Sequence, residues 1–304
     1  RFDEYGNDKI IGTNGFYAMK AHWSEHPDRN EAWADAERAR IGEERFRREH
    51  ECEFLIFDET LISSMVLADM EGTAPVETTG QVRWFKRPTP GHTYMVSLDP
   101  SMGTGGDYAA IQVFELPTFE QVGEWHHNQT PMNQQVRILQ GINKHIHDTI
   151  MEQDATASPQ IFYSMENNTI GEAALMRVMD IGEENIIGMF LSEPIRKGHR
   201  RKFRRGFNTT AKHKIDACTK FKELVENDKM KINSQLLISE MKDFVATGLS
   251  YKAKPGQHDD LVSACLLMTR MMKVLADFDP KIFEKWTDRT SEITPMPIFG
   301  SFTG

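Results

Sequence analysis

The chain has 304 residues, of which 39% are hydrophobic and 27% charged, with a net charge of −9. That length suits one domain plus appendages, no apolar run is long enough for a membrane span, and the acidic total weighs mildly against a nucleic-acid partner unless positive charge is concentrated locally. Three widely spaced cysteines, Cys52, Cys218 and Cys265, lack CxxC spacing, which excludes a disulfide framework or a zinc site and fits a reducing compartment.

No secretory signal opens the chain, which starts at an arginine in mid-motif and reads as a piece of something longer. A polar loop leads to a short predicted strand, Phe16 to Trp23. A charged helix follows from Arg29 to Arg48, with Trp33, Ala36, Ile41 and Phe46 as its sparse apolar stripe. Two short apolar segments, FLIF and LISSMVL, close a helical region over 1–67. Residues 68–90 carry Thr73, Pro75, Thr78, Gly80, Pro88 and Pro90 and read as a linker.

The chain is organised around Tyr94 to Phe114. An apolar run ends on Asp99, a loop with Pro100, Gly103, Gly105 and Gly106 carries Asp107, and a second apolar run begins at Tyr108. Two antiparallel strands joined by a mobile loop are predicted, and the pleat sends Asp99 to the face opposite Leu98. A third strand, Gln121 to His127, precedes a helix over Met132 to Ile150. Next come a strand Ile161 to Met165 ending on Glu166, a helix Gly171 to Met179 and a strand Asn185 to Leu191. A helix capped by Thr209 or Thr210 runs to Glu226, a short strand spans Met230 to Asn233, and a helix capped by Ser234 continues to Ala246. A strand at Leu249 to Lys252 leads to a helix after His258 that is apolar on nearly all sides and should be buried. Residues 277–304 read as a loosely ordered tail. A meander followed by alternating strands and helices gives an α/β domain over 91–276 with a mixed sheet, the RNase H-like layout.

On such a sheet three acidic positions converge: Asp99, Glu166, and the pair Asp259 and Asp260 in GQHDDLVSACLLM. Carboxylates so close repel one another unless a cation intervenes, and hard oxygen donors favour Mg²⁺ or Mn²⁺ over zinc. Two such ions would activate a water and stabilise the leaving oxygen of a phosphodiester. Each acid also has a plain reading: Asp259 or Asp260 as a helix cap, Glu166 as a solvated strand end, Asp107 as turn chemistry. Their coincidence carries the argument. Seven of the ten residues from Arg196 to Arg205 are basic (Arg196, Lys197, Arg200, Arg201, Lys202, Arg204 and Arg205), interrupted by Phe203. Such a run is either solvated surface or a loop that grips DNA phosphates. No phosphate-binding GxxxxGK[ST] loop, GxSxG elbow or GxGxxG fingerprint occurs, so no ATP site is expected. The pairs His126-His127 and His145-x-His147 read as surface or packing residues.

With these residues in view, the chain resembles the large terminase subunits of tailed bacteriophages, particularly the T-even-like group. LDPSMGTGGDYAA resembles the family's first nuclease motif, SMENNTIGEAAL its second and GQHDDLVSACL its third, while the stretch from HWSEHPDRN to HECEF resembles the end of its ATPase region. The resemblance implies an RNase H-like, metal-dependent endonuclease that cuts concatemeric double-stranded DNA for packaging. It implies Asp99, Glu166 and one or both of Asp259 and Asp260 as ligands of Mg²⁺ or Mn²⁺, with Asp260 slightly preferred, and matches Asp107 to an acid of the first motif. It further implies a portal protein, a small terminase subunit and self-association on the portal as partners, in the host cytoplasm. Two other readings stand beside it: an RNase H-like recombinase or junction resolvase, and a non-catalytic DNA clamp or portal-docking module.

Overall fold

The structure, a computed structural model, describes residues 22–51, 60–194 and 205–278. The chain divides into two compact units, 1–57 and 58–304. In the first, Trp23 opens a 3-10 turn through Glu25 and is followed by α1 (Glu31–Ile41) and α2 (Glu43–His50). Asn30 caps α1 by accepting from Trp33 N–H at 2.9 Å. Sequence periodicity predicts one helix here, but Gly42, at φ 84°, ends α1 and starts α2. Trp23, Ala34 and Phe46 form the small core, joined by the half-buried Trp33. Trp23 ends the strand expected from Phe16; the rest of that segment lies outside the described residues.

The second unit is a seven-stranded mixed sheet between two helical layers, the predicted RNase H-like fold. After a short helix α3 (Ser64–Asp69) come β1 (Glu77–Thr79), β2 (Val82–Trp84), β3 (Thr93–Asp99), β4 (Ala109–Leu116) and β5 (Glu120–His127). Then follow α4 (Met132–Gln153), β6 (Gln160–Met165), α5 (Thr169–Ile181), β7 (Met189–Phe190), α6 (Ala211–Glu226) and α7 (Gln235–Asp243). A hairpin of β8 (Phe244–Thr247) and β9 (Ser250–Ala253) precedes α8 (Asp260–Phe278). The strand order is β1-β2-β5-β4-β3-β6-β7, antiparallel from β1 to β3 and parallel from β3 through β6 to β7.

The two faces bury different cores, as the alternation along β3 requires. Tyr94, Val96 and Leu98 face α4 and α5, with Val136, Leu139, Ile142 and Val178. Met95 faces the opposite layer with Phe114, Phe221, Leu237 and the apolar length of α8. Ser97, on that second face, donates its hydroxyl to Ala264 O of α8 at 2.8 Å, which fixes α8 over the centre of the sheet.

Several local expectations are corrected. Residues 68–90 are not only a linker: β1 and β2 extend the sheet, because Val82 and Trp84 bury their side chains against β5. Residues 60–67 belong with the second unit. Leu61, Ile62 and Leu67 are buried in its core, where each contributes about 1.5–3 kcal/mol. The helix expected to reach Ala246 stops at Asp243, after which Phe244 to Thr247 pair with Ser250 to Ala253. Met230 to Asn233 makes only a single bridge, Lys231 to Glu120, since Asn233 N–H and Ser234 N–H go to the Gln121 side chain instead of a strand neighbour. The strand expected over Asn185 to Leu191 shrinks to Met189–Phe190 behind a 3-10 turn at Glu183–Asn185. The helix α8 runs on to Phe278; the rest of the expected tail lies outside the described residues.

Candidate metal centre

Strand register brings the first two acids together. Leu98 pairs with Met165 in parallel, and Glu166 N–H donates to Leu98 O at 3.1 Å, so Asp99 and Glu166 end adjacent strands side by side. Two-residue periodicity puts both on the face of α8: Met95, Ser97 and Asp99 on one strand, Phe162, Ser164 and Glu166 on the other. Asp260 opens α8 on that same face, and Asp259 precedes it.

The motif around Glu166 holds that side chain in place. Asn168 Oδ1 caps α5 by accepting from Ile170 N–H and Gly171 N–H at 3.0 and 2.8 Å. Its Nδ2 donates to Glu166 Oε2 at 3.1 Å, so one amide both starts the helix and orients the acid. Gly171 is required because a Cβ there would sit 1.8 Å from Glu166 O. Asn167 N–H donates to Phe207 O and Asn167 Nδ2 to Arg205 O, both at 2.7 Å, tying the strand end to the segment after the basic run.

The electrostatics are unbalanced. Burial, followed by the neighbouring Glu166 carboxylate and then Asp260 and Asp259, pushes Asp99 well above the usual carboxylate range. Burial and then Asp259 push Asp260 up to about 6. Asp260 Oδ2 is buried without a hydrogen-bond partner, 3.5 Å from His258 Nδ1. Asp259 Oδ2 instead accepts from Ala253 N–H at 3.3 Å and lies 3.8 Å from Lys214 Nζ.

Among the described residues, no three histidine, cysteine or carboxylate side chains already surround one point as a ligand shell would. The donor chemistry nevertheless fits a hard divalent cation. Oxygen donors from three chain segments lie close enough to repel one another, and one buried oxygen, Asp260 Oδ2, is left without a hydrogen-bond partner. A cation bound there would relieve that repulsion. Beside Glu166 a cleft of about 140 Å³ opens between α6 and α8, lined among others by His213, Lys214, Ser263 and Arg270.

A model of the terminase RNase H-like domain matches residues 96–271, which spans all three acidic positions. The chain belongs to the terminase RNase H-like domain family. Among solved structures, the large terminase nuclease from thermophilic phage G20c with bound magnesium matches at a TM-score of 0.51 and 17% identity, over 70% of this chain and 97% of that one. The cobalt-bound form of that nuclease matches with the same score, identity and coverage. The human cytomegalovirus terminase nuclease domain, manganese-soaked and inhibitor-bound, matches at 0.45 and 13%, over 74% and 98%.

Other predicted site residues of this terminase domain fall less centrally. Asp107 is exposed in the loop and acts on Asp260 only through its charge. That loop, expected to be mobile, is hydrogen-bonded at both ends: Ser101 exchanges bonds with the Gln135 side chain, and Gly105 N–H donates to Asn128 O at 2.9 Å. Arg196, Lys197, Arg200, Arg201, Lys202 and Arg204 lie outside the described residues. Arg205 pairs with Glu183 and lies 6.0 Å over the Phe190 ring. His126 packs as expected, stacked on Tyr108 at 4.1 Å, with burial and Arg83 pushing it down to about 4. His145 stacks on Trp84 at 4.5 Å. Cys218 and Cys265 are free and buried; Cys52 lies outside the described residues.

Sequence reasoning missed Lys214, Asn168 and Glu240. Glu240 Oε2 accepts from Leu261 N–H and Val262 N–H at 2.8 and 3.1 Å, so the start of α8 is capped from α7. The cap reading of Asp259 and Asp260 is thereby answered: another residue does that work. No single stretch of sequence signals this, because the donor and acceptor are some twenty positions apart.

Proposed function

We propose that this chain is the metal-dependent DNA endonuclease of a viral packaging motor, hydrolysing phosphodiesters of concatemeric double-stranded DNA. The observation that carries the proposal is the side-by-side placement of Asp99 and Glu166, facing the start of α8, with no lysine or arginine paired to either among the described residues. Asp99, Glu166 and Asp260 would hold Mg²⁺ or Mn²⁺, preferably two ions, which when bound supply an activated water and stabilise the leaving oxygen. Asp260 is preferred over Asp259 because its Oδ2 has no hydrogen-bond partner, whereas Asp259 is engaged by Ala253 and Lys214. Asn168 keeps Glu166 turned toward Asp99. Lys214, beside Asp259 at the edge of the cleft, is placed to meet a backbone phosphate. Asp107, exposed in the loop, adds negative charge near Asp260 and stands as an outlying candidate ligand.

The basic run from Arg196 to Arg205 would supply the sequence-independent grip that an acidic body otherwise lacks. The first unit is read as the trailing part of an ATPase region. A portal protein, a small terminase subunit and further copies at the portal, in the host cytoplasm, complete the reading. Among the described residues no helix is long and apolar enough to cross a membrane.

Supercoiled plasmid incubated with the purified chain should be nicked and linearised in Mn²⁺ or Mg²⁺ and stay intact in chelator. Retardation of the plasmid without any cleavage in either metal would replace the nuclease with a DNA clamp.

A further inference from the structure

A helix that begins with two acids normally uses one of them to satisfy its own first N–H groups. In α8 that service comes from elsewhere. Glu240 sits on the face of α7 that packs toward α8, between the buried Ile238 and Met241, with its side chain only 10% exposed. One of its oxygens accepts both Leu261 N–H and Val262 N–H. The other lies 3.7 Å from His126 Nε2. His126 stacks on Tyr108 at 4.1 Å, and the Tyr108 backbone lies beside the Asp260 carboxyl. Asp260 is thus held from two sides by one connected set of groups: the first turn of α8, pinned by Glu240, and the start of β4, braced through Tyr108 and His126.

We infer that Glu240 is a positioning residue, which fixes the first turn of α8 from α7 and thereby sets where the Asp260 carboxyl stands. It has no need to touch the metal or the DNA to do so. By capping α8 it leaves the Asp260 oxygens available and prevents the helix start from rotating toward them. The inference rests on the reading of Asp260 as a metal ligand. Groups one step behind the ligands commonly affect metal affinity tenfold or more, because a ligand free to wander loses the advantage of a fixed geometry.

The test separates reach from the carboxyl itself. Burial pushes Glu240 up to about 9, so near neutral pH it is an uncharged acceptor. In E240Q the amide oxygen accepts the same two N–H groups; in E240D the carboxyl stays but the side chain is a methylene shorter. Mn²⁺ binding to the full chain is measured by titration calorimetry for both, for the parent and for D260N, with unfolding temperature followed in parallel. E240Q should bind Mn²⁺ close to the parent, and E240D about tenfold more weakly. A purely structural role would lower the unfolding temperature of E240D without moving its Mn²⁺ affinity, and that result overturns the inference. So does an E240Q that binds as poorly as E240D or worse, since the carboxyl itself rather than its reach would then matter. If D260N binds Mn²⁺ as tightly as the parent, the ligand assignment of Asp260 itself falls. If D260N weakens binding and E240D does not, only the role of Glu240 is lost.

Discussion

The same strands carry two groups of acids, one at each end, and the protein treats them oppositely. At the start of β3 and end of β4, Glu115 is fully buried but surrounded by partners. Lys86 donates to it, Thr118 Oγ1 donates at 3.0 Å, and His92 Nδ1 lies 3.0 Å away. Glu120 beside it bonds Lys86 at 3.2 Å and Lys231 at 2.6 Å. Nearby, Glu124 pairs with Arg83 at 3.0 Å and accepts from the Ser234 hydroxyl. At the other end of β3, Asp99, Glu166 and Asp260 meet one another; among the described residues no lysine or arginine pairs with them, and His258 Nδ1 lies 3.5 Å from Asp260. Around Glu115 and Glu120 the chain supplies its own counter-charge. The proposed metal site is the cluster that stands against its own repulsion among the described residues.

Exchanging one acid at each end tests this contrast most strongly. Asp99→Asn should reduce metal-dependent plasmid cleavage on the order of a hundredfold or more, while raising the unfolding temperature measured in chelator, because it removes a carboxylate that burial and Glu166 oppose. Glu115→Ala should do the reverse. Cleavage by the folded fraction stays, while stability measured by denaturant unfolding drops by about 2 kcal/mol, modest for a buried acid because Lys86 is partly hydrated and still reaches Glu120. Equal loss of cleavage in both variants would erase the distinction.

pH sharpens the comparison in a second way. A carboxyl whose folded pKa is raised binds its proton more tightly in the native state, so its contribution to stability declines as pH rises through that value. In chelator, Asp260 at about 6 and the raised Asp99 should make the unfolding temperature fall as pH climbs from about 4 to about 6. Added Mn²⁺ should flatten that fall. Glu120 has the opposite sign: Lys231, Asn233 and Lys86 overcome its burial and hold it below the usual range, so its stabilisation is present above the unfolded pKa and lost as pH drops. A metal-free stability that rises steadily from pH 4 to pH 6 would mean that the two ends behave alike.

The smallest expected effect concerns positive charge supplied from outside both clusters. Neutralising Arg200, Arg201 and Arg204 to Gln leaves Arg205 in its pair with Glu183 and leaves the acids unaltered. If three phosphate contacts are lost, the slope of log DNA affinity against log salt should flatten by about three, equally for unrelated sequences, in filter-binding measurements. An unchanged slope would assign the run to solvated surface.

Much of the second unit was legible because its signals are local. Period-two alternation marks β3, β4 and β6, which places Asp99 opposite Leu98, and an all-round apolar helix can only be the buried α8. Helix starts at Thr210 and Ser234 were readable from single capping side chains, which accept from His213 N–H and Leu237 N–H. The positions of Asp99 and Glu166 at adjacent strand ends, and of Asp260 at the start of α8, were also readable from strand and helix ends. What sequence alone left open depends on partners distant along the chain. Whether 68–90 is linker or strand was decided by β5, which offers Trp84 and Val82 a surface to cover. Whether Asp259 or Asp260 caps its own helix was decided by Glu240, reaching across from α7. Which buried acids are neutralised was decided by Lys86, Arg83 and Lys231, all remote in sequence from the carboxylates they meet. Local propensity and pattern act over a few residues and can be read from them; charge balance and capping across elements exist only once the chain has brought those elements together.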